Sequence, residues 1–173
     1  MKKSFTRRAA NRMLALIARF APGATSLRPR LHRLRGVQIT GKVFIGDDVY
    51  LENEYPDRIE IHDGAQICLR SILIAHTRGP GRIVIGKDVF VGAGSLLSAA
   101  VGETLTIGEG AVIVAGSVVT SSVPAHTLFG NQKAKPLGKV TIPFTMETSY
   151  RKFLSGIRPL DKESKKKNSS LTR

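Results

Sequence analysis

The sequence predicts an all-β protein: a parallel β-helix of hexapeptide repeats, with an amphipathic helix before it and a short extension after it. Three observations carry this. An aliphatic residue recurs at every sixth position through the middle of the chain, a second and mostly small residue follows each one four places later, and glycine marks bends between them, as at Gly46, Gly86, Gly92 and Gly108. Short strands joined by tight turns around a narrow core need this composition, because a crowded bend takes glycine and the interior alternates large and small side chains.

The repeat falls into four triplets, led by Ile39, Ile45 and Leu51; Ile61, Ile67 and Leu73; Ile85, Val91 and Leu97; and Ile107, Ile113 and Val119. The smaller inward candidates are Val43, Val49, Tyr55, Ala65, Ser71, Thr77, Val89, Ser95, Val101, Ala111, Ser117 and Val123. Three hexads close one triangular coil. The triplets begin at residues 39, 61, 85 and 107, so successive coils advance by 22, 24 and 22 residues, which leaves an insertion of four or six in each. The openings Val37-Gln38-Ile39, Ile59-Glu60-Ile61, Ile83-Val84-Ile85 and Leu105-Thr106-Ile107 share one alternation and support that register.

Before the repeat, residues 1–36 form a basic segment. Phe5, Ala9, Met13, Leu16, Ile17 and Phe20 recur at helical spacing among Arg7, Arg8, Arg12 and Arg19, which predicts an amphipathic helix ending at Pro22. Two roles fit such a helix: a cap over the open end of the β-helix, or an interfacial anchor on anionic membrane. The β-helix is expected over residues 37–130, an extension with a short helix over 131–160, and a polar, Lys-rich, disordered tail over 161–173.

The formal net charge of +14 is not spread evenly. Residues 1–35 hold ten basic side chains and no acid, residues 150–173 carry a net +6, and residues 36–149 carry a net −2. The central domain is therefore not a polyanion binder, and nucleic acid is not an expected partner; the charged tails suit a surface such as anionic lipid. A single Cys68 provides neither a disulfide nor a Cys-based zinc site, and the longest apolar stretches are far too short for a membrane span. The apolar part of the N-terminus is too short for a signal peptide, so a cytoplasmic location is expected.

The strings Ile85-Gly86-Lys87-Asp88-Val89-Phe90-Val91-Gly92-Ala93-Gly94 and Ile107-Gly108-Glu109-Gly110-Ala111-Val112-Ile113-Val114-Ala115-Gly116-Ser117-Val118-Val119-Thr120, followed by Val123-Pro124 and Gly130-Asn131, resemble the left-handed β-helix acyltransferases. The branch most similar is that of maltose, galactoside and polysaccharide O-acetyltransferases. The resemblance covers about residues 37–140 and implies a left-handed parallel β-helix, acetyl-CoA as acyl donor, a carbohydrate acceptor, and a homotrimer with its sites between neighbouring coil stacks. The hexads themselves are shared with other chemistries and specify fold more than function.

Acyl transfer to a hydroxyl needs a base and donors for the oxyanion. His76 lies in the largest interruption of the repeat, residues 75–82, and the resemblance implies that it is the catalytic base. It also implies that the Ala93 backbone N–H meets the thioester carbonyl, that Ala115 and Thr120 contact pantetheine, and that Lys133 or Lys135 meets the nucleotide phosphates. Polar Asn53 and Glu54, in the insertion after Leu51, are the candidates for binding the acceptor. Of the other histidines, His62 reads as a bend residue, His32 as part of a basic surface, and His126 as a possible neighbour of the acyl donor; their spacing matches no metal-ligand pattern, and no metal is expected. Together these readings predict an O-acetyltransferase acting on a sugar hydroxyl of a surface polysaccharide or its lipid-linked precursor. The alternatives are an acetyltransferase for another small acceptor, such as an amino sugar or antibiotic, and a non-enzymatic β-helical scaffold with membrane-binding tails.

Overall fold

A computed structural model of the chain describes residues 5–76, 79–131, 136 and 138–159. It divides into two compact units, residues 1–131 and 132–173. In the first, two helices, α1 (Phe5–Phe20) and α2 (Leu27–Arg35), precede a parallel β-solenoid. Three sheets form its sides. The first stacks β1 (Gln38–Ile39), β4 (Ile59–Ile61), β7 (Arg82–Ile85) and β10 (Thr104–Ile107); the second stacks β2 (Phe44–Ile45), β5 (Gln66–Ile67), β8 (Phe90–Val91), β11 (Val112–Ile113) and β13 (Leu128–Phe129); the third stacks β3 (Tyr50–Leu51), β6 (Ile72–Ile74), β9 (Leu96–Ser98) and β12 (Val118–Val119). Every pairing between coils is parallel, and the lead residues stack in register: Ile39 on Ile61 on Ile85, and Leu51 on Leu73 on Leu97.

The core lies inside this prism. Eleven of the twelve lead aliphatics are buried, and Ile39 is half-buried against the cluster. Burying one such side chain contributes about 1.5–3 kcal/mol, so the ladder is the main source of stability. The small inward serines are buried and satisfied: the hydroxyls of Ser95 and Ser117 donate to the carbonyls of Gly92 and Val114, at 2.7 and 2.6 Å. At Gly92 an added Cβ would stand 2.5 Å from the Ala115 backbone nitrogen of the next coil, which is why that bend excludes a side chain.

Two expected inward residues, Tyr55 and Val101, are exposed. Both fall between the third strand of one coil and the first strand of the next, where every insertion of the repeat is placed. The extra residues lift the chain off the prism there. All insertions therefore project from one edge, between the third and first sheets.

The open end of the first coil is covered by the turn after α1 and by α2. The Ala24 and Arg19 carbonyls accept from the N–H groups of Ile45 and Asp48, at 2.9 and 2.8 Å. Arg28 donates to the carbonyl oxygens of Ala21 and Ile45, and Arg35 to those of Leu51 and Glu52. This satisfies a strand edge that would otherwise be open. The sequence reading of His32 as basic surface is corrected: it is 1% exposed, and burial, reinforced by the neighbouring Arg35 cation, pushes its pKa down to about 3. An imidazole so placed is neutral at pH 7.

The second unit contains β14 (Lys139–Val140) antiparallel to β15 (Ile157–Arg158), with α3 (Tyr150–Ser155) between them in sequence. The Ser149 hydroxyl caps α3 by accepting from the Lys152 N–H, and Phe144 packs on Phe153 with ring centroids 4.9 Å apart. The expected disordered tail, residues 161–173, lies outside the described residues.

Candidate active site

The insertions of the first two coils meet on the edge between the third and first sheets. Strand pairing sets Leu51 beside Leu73, so the chain leaving β3 runs along the chain leaving β6. The result is a pair of side chains: His76 Nδ1 contacts Glu52 Oε2. The Glu52 side chain is 1% exposed and that of His76 is 35% exposed. The second carboxylate oxygen of Glu52 accepts from the Glu54 N–H at 2.7 Å, and the Tyr55 ring stands edge-on to the imidazole with centroids 5.5 Å apart. The loop carrying His76 is closed at its base by a bridge from His76 to Pro80 and by the Gly81 N–H donating to the Ala75 carbonyl at 2.7 Å.

This arrangement selects a tautomer. A carboxylate only accepts, so the imidazole proton lies on Nδ1 and the Nε2 lone pair is left to take a proton from a ligand. Beneath the pair, Arg35 is almost fully buried and binds the backbone that carries Glu52: its Nη2 donates to the Leu51 carbonyl at 3.1 Å, to the Glu52 carbonyl at 2.7 Å and to Asn53 Oδ1 at 2.6 Å. Burial lowers the Arg35 pKa, opposed by Tyr50 and Glu52.

The other expected residues are distributed as follows. Asn53 and Glu54 adjoin the pair, but Asn53 Oδ1 is turned to Arg35, while the Glu54 carboxylate faces Arg8 and Arg12 of α1, at 3.6 and 3.4 Å. Ala93 and Ala115 are on a different edge, between the second and third sheets. Neither of their N–H groups donates a hydrogen bond among the described residues. Thr120 is on the His76 edge, two coils further along, in a groove with Ala99, Ala100, Glu103 and Ser122. Lys133 and Lys135, as well as Thr77, lie outside the described residues. His62 is at its expected bend and bonds Glu60 at 2.9 Å, and His126 is a turn residue with φ of +53°. Among the described residues no three His, Cys, Asp or Glu side chains gather as a metal site would require.

Sequence reasoning missed Glu52. The signal was present in the period: insertions after Leu51 and after Leu73 fall at the same step of adjacent coils, so polar residues in one stack against those in the other.

With fold and site in place, the chain can be set beside known proteins. It is similar to 2,3,4,5-tetrahydropyridine-2,6-dicarboxylate N-acetyltransferase of Staphylococcus aureus (strain bovine RF122 / ET3-1), 27% identical over 101 residues, 58% of this chain and 38% of the relative. It is also similar to the bifunctional protein GlmU of Stutzerimonas stutzeri (strain A1501), 51% identical over 47 residues, 27% of this chain and 10% of that protein. These relatives are hexapeptide-repeat acetyltransferases. The chain thus spans well under half the length of the curated relatives it matches. No family model and no solved structure matches it.

Proposed function

We propose that the protein is an acetyl-CoA-dependent O-acetyltransferase acting on a sugar hydroxyl of a surface polysaccharide or its lipid-linked precursor, at the cytoplasmic face of the membrane. The observation that supports this most is the pairing of half-exposed His76 with buried Glu52 at an interrupted corner, because a scaffold has no use for a buried carboxylate aimed at such an imidazole. The similarity to acetyltransferases supplies the reaction class.

In the proposed reaction His76 Nε2 takes the acceptor's hydroxyl proton as its oxygen attacks the thioester carbonyl. Glu52 stabilises the imidazolium that forms. When the tetrahedral species collapses, the C–S bond breaks and the imidazolium returns the proton to the leaving sulfur. The acyl donor enters as substrate. The bare N–H groups of Ala93 and Ala115 suit the thioester and the pantetheine amides, and the groove at Thr120 suits a slender arm.

His76 and Glu52 stand on one edge of the prism and Ala93 and Ala115 on another, separated by the width of the third sheet. Three to five extended residues span about 10–16 Å. Attack requires atoms about 3 Å apart. A neighbouring copy therefore has to supply one wall, and we propose a homotrimer. The outward row Phe44, Gln66, Phe90, Val112 and Leu128 on the second sheet, apolar but for Gln66, gives such a neighbour a largely apolar surface.

A second reading, transfer to an amine, is favoured by the N-acetyltransferase among the relatives. One experiment addresses both: the chain is incubated with acetyl-CoA and parallel panels of sugars and amino sugars, free CoA thiol is followed, and oligomer mass is read by light scattering. His76→Ala should bind acetyl-CoA and keep its mass but lose about 10²–10⁴ in turnover. Wild-type turnover by a folded His76→Ala protein would remove the base from the mechanism, and turnover by a monomer would remove the trimer.

A further inference from the structure

Four large apolar residues of α1, Met13, Leu16, Ile17 and Phe20, point away from the protein, while Leu14 is half-buried on the docked side. Asn11, Ala15 and Ala18, one stripe of the helix, are buried. On the opposite stripe Met13 is 59% exposed and Phe20 70%, with Leu16 and Ile17 about half exposed beside them. A helix that served only as a cap would turn its widest apolar stripe inward; here the capping is done by α2 and its arginines, and α1 docks through Asn11, Leu14, Ala15 and Ala18. On this stripe the Phe20 ring carries the Arg19 guanidinium 5.7 Å from its centroid, and all four large side chains stay exposed.

The two helices are cationic. Arg7, Arg8, Arg12 and Arg30 are exposed on them, Arg8 and Arg12 with Glu54 within 4 Å, and residues 1–35 contain no acid at all. A second copy of this face would oppose cation to cation across a two-fold axis, so self-pairing is disfavoured. An anionic bilayer matches both parts: acyl chains for the four apolar side chains, and lipid phosphates for the guanidinium groups. No helix among the described residues is long and apolar enough to cross a membrane.

We infer that α1 lies in the surface of an anionic phospholipid bilayer, with Met13, Leu16, Ile17 and Phe20 inserted below the headgroups. Arg8 and Arg12 of the same helix face Glu54, the neighbour of the His76–Glu52 pair. A seated α1 therefore sets the membrane surface beside the acceptor side of the site. That corollary rests on the proposed function; the docking itself does not.

The chain contains no tryptophan, so Phe20→Trp places a unique indole at the C-terminal end of the stripe in the whole chain. Vesicles of equal parts phosphatidylglycerol and phosphatidylcholine should shift its emission to the blue, and brominated acyl chains should quench it. Raising salt from about 0.05 to 0.5 M, which shortens the screening length about threefold, should reduce partitioning at least tenfold. Pure phosphatidylcholine should bind at least tenfold more weakly. Leu16→Ser with Ile17→Ser should lose a further tenfold or more, with unchanged thermal unfolding because both side chains face outward; if this variant fails to fold, the tryptophan reporter alone still decides. An emission maximum unmoved by either vesicle would overturn the inference. So would a blue shift that grows with protein concentration without lipid, the mark of a second copy on this face. The readout needs no acyl transfer, so failure of docking and failure of the enzymatic reading are separable.

Discussion

Replacing Glu52 by Gln keeps the shape of the site and removes only its charge and one acceptor. In the native arrangement one carboxylate oxygen takes the Glu54 N–H at 2.7 Å and the other meets His76 Nδ1. The amide can satisfy Glu54 with its oxygen, and then its NH2 group faces Nδ1. Nδ1 must then be bare, the imidazole proton moves to Nε2, and the atom that should accept a proton carries one. The opposite orientation preserves the tautomer but sets the NH2 group against the Glu54 N–H, two donors in a buried site, at a cost of about 1–3 kcal/mol. The tautomer should therefore flip. Loss of the base in its working form, and of a carboxylate partner for the imidazolium, should lower turnover by about 10²–10⁴, equivalent to about 3–5 kcal/mol of barrier. Thiol release from acetyl-CoA in the presence of an active acceptor measures the rate. The tautomer has its own readout: side-chain ¹⁵N shifts of the four histidines, with the His76 signals assigned by their absence in His76→Ala. Native His76 should show a protonated Nδ1 and a bare Nε2, and Glu52→Gln the reverse. A folded Glu52→Gln protein with Nδ1 still protonated and with native turnover would refute the role assigned to Glu52.

Two further outcomes follow from the buried groups around it. Arg35→Met leaves the Leu51 and Glu52 carbonyls and Asn53 Oδ1 without their donor in a buried site, so denaturant unfolding should show a loss of about 3–5 kcal/mol, and Arg35→Lys a smaller one. His32 has a folded pKa of about 3, below its ordinary 6.5, so the unfolded chain takes the proton first as pH falls. Its stabilising effect is complete above pH 6.5 and is lost progressively down to pH 3, about 3 kcal/mol by pH 4.5. His32→Gln keeps an acceptor for Arg35 and should flatten this part of the stability profile; an equally steep profile in the variant would assign the acid sensitivity to other groups.

What could be read in advance follows from what a six-residue period encodes. The side of each inward residue is fixed by position alone, so Ile45, Leu73 or Ile113 could be placed in the core from spacing and burial chemistry. Tyr55 and Val101 could not, because an insertion breaks the count at the third corner and the chain leaves the prism there. Helix α2 was not legible either. Its sequence, Leu27 to Arg35, reads as a charged surface segment, yet Arg28, His32 and Arg35 are buried. Hydrophobic patterning cannot anticipate this, since what draws the arginines inward is a row of unpaired carbonyl oxygens at the end of the first coil, and those exist only once the coil has formed.

The same reasoning separates the legible half of the site from the hidden half. His76 is legible because it lies in the largest interruption of the repeat, one coil before the strings that carry the family resemblance, and the resemblance implies a base there. Glu52 is not, because it directly follows the buried Leu51 and its contact with His76 depends on which coil lies beside it, a long-range fact. The register Leu51 on Leu73 decides it: any slip by one residue would reverse the facing of the corner and part the carboxylate from the imidazole. The apolar stripe of α1 shows the converse limit. Periodicity marks the stripe but is silent on whether it faces the protein or away from it, and the opposite side, with Asn11, Ala15 and Ala18 buried and Leu14 half-buried, is the one that docks against the rest of the unit. A helix with two usable faces can be held by the one and leave the other, with its larger side chains, for a surface outside the protein.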